Sequence, residues 1–177
     1  MTAILRSPGA MCAFASAVAC ARPASLDDPH VVPPVTGQAA ITAWFDAGYY
    51  RAWQCEPTPH PAFMPSPHGT IRVCANPIVA GGGEGERPVD AALALEIVDA
   101  RGAIVGHGAQ RHTAPGTTGE SWYWFMTVPP SSATPHDASG LAADGWGLDG
   151  PEHDVCSMCH EEAGIVGPGH DFVWALP

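Results

Sequence analysis

Glycine and proline punctuate this chain so densely that it cannot be built from long helices. Of 177 residues, 20 are Gly and 19 are Pro. Pro lacks the amide hydrogen a helix needs, and Gly gives up the most backbone freedom on entering one. The elements must be short and joined by many turns. Hydrophobic residues still make up 46% of the chain, which is enough for one folded domain with its own core. The formal net charge is -11, and all seven basic residues are Arg, with no Lys anywhere. So acidic a chain lacks the basic footprint that nucleic acid or an anionic membrane surface requires. The acidity keeps the protein soluble, and it would also welcome a basic protein partner.

The N-terminus has a different character. Arg6 precedes the small and apolar stretch Met11 to Ala19, so residues 1–24 read as a signal peptide. Ala17-Val18-Ala19-Cys20 is similar to a bacterial lipobox without its usual leading Leu. Processing therefore has two outcomes, a lipid anchor at Cys20 or a plain cleavage near Ala19 to Ala24. In either case the protein is exported, to the periplasm or beyond. No apolar run reaches membrane-spanning length. Residues 25–37 read as a linker, and residues 38–177 as one domain.

Within that domain the spacing of Ile41, Trp44, Phe45, Tyr49, Ala52 and Trp53 predicts a helix from Gln38 to Trp53. Thr36 or Thr42 would start it, and the proline cluster from Pro57 would end it. An irregular loop over 55–69 and a short strand, Ile71 to Cys74, follow. Gly81 to Glu86 is a glycine-rich loop, but it lacks the Lys-Ser/Thr pair of a phosphate cradle, which disfavours nucleotide binding. From Pro88 to Val98 the period is two, with Val89, Ala91, Leu93, Leu95 and Ile97 on one face. The turn Asp99 to Gly102 returns residues 103–112 as an antiparallel partner. An aromatic strand over 122–128, a long loop over 129–150, a short helix over 153–163 and a final strand over 171–174 complete the chain. The expected fold is mainly β, of the α+β kind. It is an antiparallel sheet of four or five strands with an N-terminal helix and a short C-terminal helix.

That last helix carries Cys156-Ser157-Met158-Cys159-His160. In a C-x-x-C-H motif the two thiols, three residues apart, project from one side of a helical turn. They can form thioethers with the two vinyl groups of one haem, and the adjacent imidazole then ligates the iron. The motif predicts haem c as cofactor, with Cys156, Cys159 and His160 binding it and His160 as metal ligand. Zinc would need two further ligands, and His153 and His170 form no such pair. A redox dithiol would sit in a strand–helix context that is absent here. Cys55 and Cys74 are an even pair in an oxidising compartment. They read either as a disulfide closing the Pro-rich loop or as two small buried hydrophobes.

The chain also resembles the cytochrome P-460 and cytochrome c′-beta family of periplasmic haem proteins. The resemblance rests on Ser66-Pro67-His68-Gly69-Thr70-Ile71-Arg72-Val73 with Asn76, on Pro88-Val89 through Glu96, and on Trp122-Tyr123-Trp124-Phe125. It also rests on the haem motif followed by Asp171-Phe172-Val173-Trp174. It implies a mostly β homodimer with a five-coordinate haem, His160 proximal and the other side open to a small gaseous or nitrogenous ligand. Members that oxidise hydroxylamine cross-link a Lys to the porphyrin. Here Ala94-Leu95-Glu96 stands at that segment, so Leu95 replaces the Lys. The departure shifts the expectation towards binding or detoxifying nitric oxide. The family's distal carboxylate corresponds to the loop holding Glu84 and Glu86, which read more simply as solvated charges. Met64, Met126, His68 or His107 as a sixth ligand would make an electron-transfer cytochrome serving a redox partner protein.

Overall fold

The computed structural model describes residues 27, 28, 30–62, 66, 68–82, 85–147, 156–163 and 171–173. Its elements in chain order are α1 (Gln38–Ala47), β1 (Gln54–Cys55), β2 (His60–Pro61), β3 (Thr70–Ala75) and α2 (Pro77–Ala80). Then come β4 (Ala92–Val98), β5 (Ile104–His112), β6 (Trp122–Thr127), β7 (Leu141–Trp146) and α3 (Met158–His160). Among the described residues seven strands form one antiparallel sheet in the order β1-β3-β4-β5-β6-β7, with β2 also pairing with β3. The mainly β class expected from the sequence is what the chain adopts, with more strands than the four or five anticipated.

Each extra strand is held by a neighbour in the sheet. Within the Pro-rich stretch, β1 and β2 lie in succession along the outer edge of β3, pairing Cys55 with Cys74 and His60 with Ile71. Strand β7 emerges from the expected loop 129–150. Its small side chains give little alternation, and it is held instead by its ladder to β6 and by Tyr123 Oη donating to Asp144. The expected long helix stops early. Gly48 takes a left-handed conformation (φ 77°) and donates its N–H to Phe45 O, after which Tyr49–Ala52 is a single 3-10 turn. Neither Thr36 nor Thr42 caps the start of α1. Asp144 does so from β7, accepting from Gln38 N at 2.8 Å, where a carboxylate meets the positive end of the helix.

The strand expected from Pro88 begins only at Ala92, because Asp90 has a positive φ of 71° and Ala91 N bonds back to Pro88 O. Among the described residues the expected final strand is reduced to a lone bridge at Val173. Asp171 and Phe172 are left-handed, with φ 47° and 65°, and Trp174 lies outside the described residues. The helix expected over 153–163 is one turn, with residues 151–155 outside the described part. The expected signal peptide, residues 1–24 with Cys20, also lies outside it.

Two cores lie on opposite faces of the sheet. On one, Ile41, Trp44 and Phe45 of α1, with Tyr50 and Trp53, pack on Ala92, Ala94, Ala109, Tyr123 and Phe125. The alanines of β4 and β5 leave room for the aromatic rings. The buried carboxylate of Glu96 sits on this face. It accepts from Tyr50 Oη at 2.6 Å and lies 2.8 Å from Arg72 Nε, an ion pair out of line for a hydrogen bond. Burial and this carboxylate raise the Tyr50 pKa. On the other face, Ile71, Leu93, Ile97, Trp122, Trp124 and Met126 pack with Cys156, Phe172 and Val173.

Cys55 and Cys74 form a disulfide across the β1–β3 pair, 19 residues apart in sequence. A cross-link of that span restricts the unfolded chain by about 3 kcal/mol. Replacing both with Ala should lower the unfolding free energy in non-reducing urea titrations by about that amount. Unchanged stability would mean the bridge does not form in the mature protein.

Candidate functional site

The second face of the sheet does not close completely. A cleft runs between β3, β4, β5 and β6 on one side and the segment at Cys156–His160 on the other. Its empty volume is about 960 Å³ with the open mouth included. The wall is mostly apolar, made by Val73, Leu93, Leu95, Trp124 and Met126. Gly108 contributes no side chain there; a Cβ at that position would press on Leu95 at 3.2 Å.

Cys156, Cys159 and His160 all line this cleft, so the residues singled out by their spacing are brought together. Cys156 is buried and Cys159 exposed, and both are thiols. Although the residue is exposed, partial desolvation of its thiol raises the Cys159 pKa, and the nearby Glu162 adds to the effect. A redox C-x-x-C pair needs the opposite, an electropositive setting that favours thiolate. Among the described residues no group of three or more His, Cys, Asp and Glu is arranged to hold a metal ion. The zinc candidates His153 and His170 lie outside the described residues.

The His160 ring is fixed from two sides. Its Nδ1 lies 2.7 Å from Phe172 O, and the edge of Trp124 meets it with ring centres 4.8 Å apart. A carbonyl oxygen only accepts, so Nδ1 must carry the proton and Nε2 must present its lone pair. Burial pushes the His160 pKa down to about 4 against the pull of the carbonyl, with His68 lowering it further. The ring is therefore a neutral donor at ordinary pH. Phe172 O also accepts from Gln110 Nε2 at 3.0 Å. The left-handed turn at Asp171 and Phe172 aims this carbonyl, and Arg87 N anchors the turn by donating to the Asp171 carboxylate.

The motif is seated on glycine. Ser157 Oγ donates to Gly147 O at 2.9 Å, and a Cβ on Gly119 would lie 2.6 Å from Ser157 Cβ.

Other candidates fall elsewhere. Glu86 is exposed in a separate groove, where it accepts from Gly116 N at 2.6 Å, and it does not reach the cleft. Glu84 and Met64 lie outside the described residues. His107 is on the opposite face of the sheet, stacked on Phe45 with ring centres 4.4 Å apart, so it cannot ligate in the cleft. Its parity in β5 is that of Ala109, whereas Gln110 has the parity of the cleft wall. Met126 does line the cleft, and so does His68. Burial lowers the His68 pKa to about 4.

Three polar residues of the cleft carry no sequence signal. Gln110 is one. The others are Glu56 and His60 at the rim, where His60 Nε2 lies 3.0 Å from Glu56 Oε2 and its Nδ1 lies 2.7 Å from Pro61 O. That neighbourhood raises the His60 pKa, chiefly through the carbonyl. Only the register of β1 and β2 on β3 brings them to the cleft.

Comparison with family models, with curated proteins and with solved structures gives no match to this chain. Among the described residues no helix is long and apolar enough to cross a membrane.

Gly119→Ala should force Ser157 outward and cost about 1–3 kcal/mol of stability by overpacking. Urea denaturation measures the loss, and amide exchange at Cys159 and His160 should speed up with it. An unchanged exchange pattern would contradict this seating of the motif.

Proposed function

We propose that this chain is an exported c-type haem protein of the cytochrome P-460 kind, binding nitric oxide or a related small nitrogen species. Cys156 and Cys159 would hold the haem and His160 would ligate its iron. The observation that carries this reading is the His160 Nδ1 contact to Phe172 O at 2.7 Å. Haem and metal sites hold a ligating imidazole by its second nitrogen in this way, which orients the ring and fixes its tautomer. The residues fit the group in other respects. The cleft is apolar on the sheet side, the two thiols share its opposite lip, and Trp124 Nε1 and His68 Nδ1 are buried there without a partner.

Cys156 and Cys159 would each hold the haem by a thioether, their thiols adding across one vinyl group apiece with no net change of oxidation state. Once bound, the haem supplies an iron whose behaviour towards diatomic ligands follows the polarity and access of its pocket. This chain's residues make that pocket apolar. Leu95 stands in the wall where the resembling enzymes have their cross-linking Lys, which disfavours hydroxylamine oxidation. Glu86 points elsewhere, and Glu56 is engaged by His60 and Val73 N at the rim.

Material expressed with a c-type maturation system should gain the mass of one haem and give a c-type pyridine haemochrome. Cys156→Ala with Cys159→Ala should lose both. An unmodified mass in the wild type would overturn the reading. Nitric oxide added to the reduced protein should shift its absorption bands, and indifference to nitric oxide would restrict the protein to electron transfer.

A further inference from the structure

The cleft contains a second imidazole. His68 lies in the connection between β2 and β3, its backbone N–H donating to Ser66 Oγ at 3.2 Å. Gly69, left-handed at φ 70°, follows it, and Ala62 N donates to Gly69 O at 2.7 Å to close the turn. This places the His68 ring in the same cleft as His160, with ring centres 6.5 Å apart and planes at 66°. Two imidazoles that share one metal, each with a nitrogen about 2.0 Å from it, have ring centres roughly 6 Å apart. His68 Nδ1 is also sealed from solvent with no hydrogen-bond partner. An orphaned polar atom in a folded interior is costly and calls for an explanation.

The other polar groups of the cleft are engaged or unsuitable. Both His60 nitrogens have partners, and Gln110 Nε2 is held by Phe172 O. Trp124 Nε1 has no partner, but an indole N–H only donates and cannot ligate. His68 is thus the cleft imidazole, besides His160, with an unengaged nitrogen among the described residues.

We propose that His68 is an exchangeable sixth ligand: it ligates the iron opposite His160 when no exogenous ligand is present, and a small nitrogenous or diatomic ligand displaces it. This rests on the haem reading above and departs from the five-coordinate iron that the family resemblance implies. The resting protein is six-coordinate, and it becomes five-coordinate only while His68 is away. A ligand that must wait for a minor open state binds with an affinity reduced by the fraction of molecules open. His68 therefore sets the concentration at which the protein responds.

The test uses the mature haem-loaded protein, with carbon monoxide as probe. Reduced wild type should be low-spin. His68→Leu should be high-spin and bind carbon monoxide at least about tenfold more tightly if the open fraction is about a tenth or less. Imidazole added to the variant should restore the low-spin bands, and His68→Gln, which keeps a polar side chain, should behave as His68→Leu does. The c-type haemochrome is measured on every sample. A normal haemochrome with a high-spin wild type, or with a low-spin His68→Leu, overturns the role of His68 and leaves the haem assignment standing. A wild type without covalent haem overturns both.

Discussion

Strand β4 puts alanine on one side and leucine and isoleucine on the other, and both sides are out of water. A strand in that position demands a cover on each face of the sheet. The alanine side receives α1, whose aromatic rings fit because Ala92, Ala94 and Ala109 take so little space. The leucine side receives the C-terminal segment, which covers it only in part and leaves the cleft. Glu96 interrupts the alanine side with a charge, tolerated because Tyr50 and Arg72 both reach it. The turn after α1 is thereby tied to the sheet by a directional contact as well as by packing.

The cleft side is organised around one backbone carbonyl. Phe172 O receives His160 from α3 and Gln110 from β5, so a turn near the C-terminus joins the motif to the middle of the sheet. Two consecutive left-handed residues other than glycine are costly, and such strain persists only where surrounding contacts hold it. Here Arg87 N grips the Asp171 carboxylate, and the Phe172 ring lies against Trp122 and Trp124. The histidine's orientation is therefore set by residues 12 and 50 positions away rather than by its own short helix.

Much of this was legible in the sequence because period-two alternation is a local signal. β4 and β5 have a buried face that their own residues announce, and the turn at Asp99 to Gly102 lies where its chemistry puts it. Here Asp99 Oδ1 accepts from Arg101 N and Ala103 N, and Gly102 supplies the positive φ of 81°. The cysteine spacing was equally local. What escaped was non-local. Leu141–Trp146 reads as loop because Ala-Ala-Asp-Gly carries no alternation, and only β6 makes it a strand. The break in α1 at Gly48 was hidden because Tyr49, Ala52 and Trp53 continue the helical spacing past the left-handed glycine. Gln110 and His107 are three residues apart in one strand, and period two alone assigns them to opposite faces. Which face holds the cleft depends on where α1 docks, and no single segment encodes that.

The bridge between the first and third strands also bears on how the chain matures. Among the described residues the cysteines are Cys55, Cys74, Cys156 and Cys159, and the first two have consumed each other. Oxidation at the sheet edge thus withdraws two competing nucleophiles. It leaves one correctly spaced sulfhydryl pair, at the far end of the polypeptide, beside the histidine. Any order of events in which the edge pair closes first keeps Cys55 and Cys74 from scrambling with the later pair.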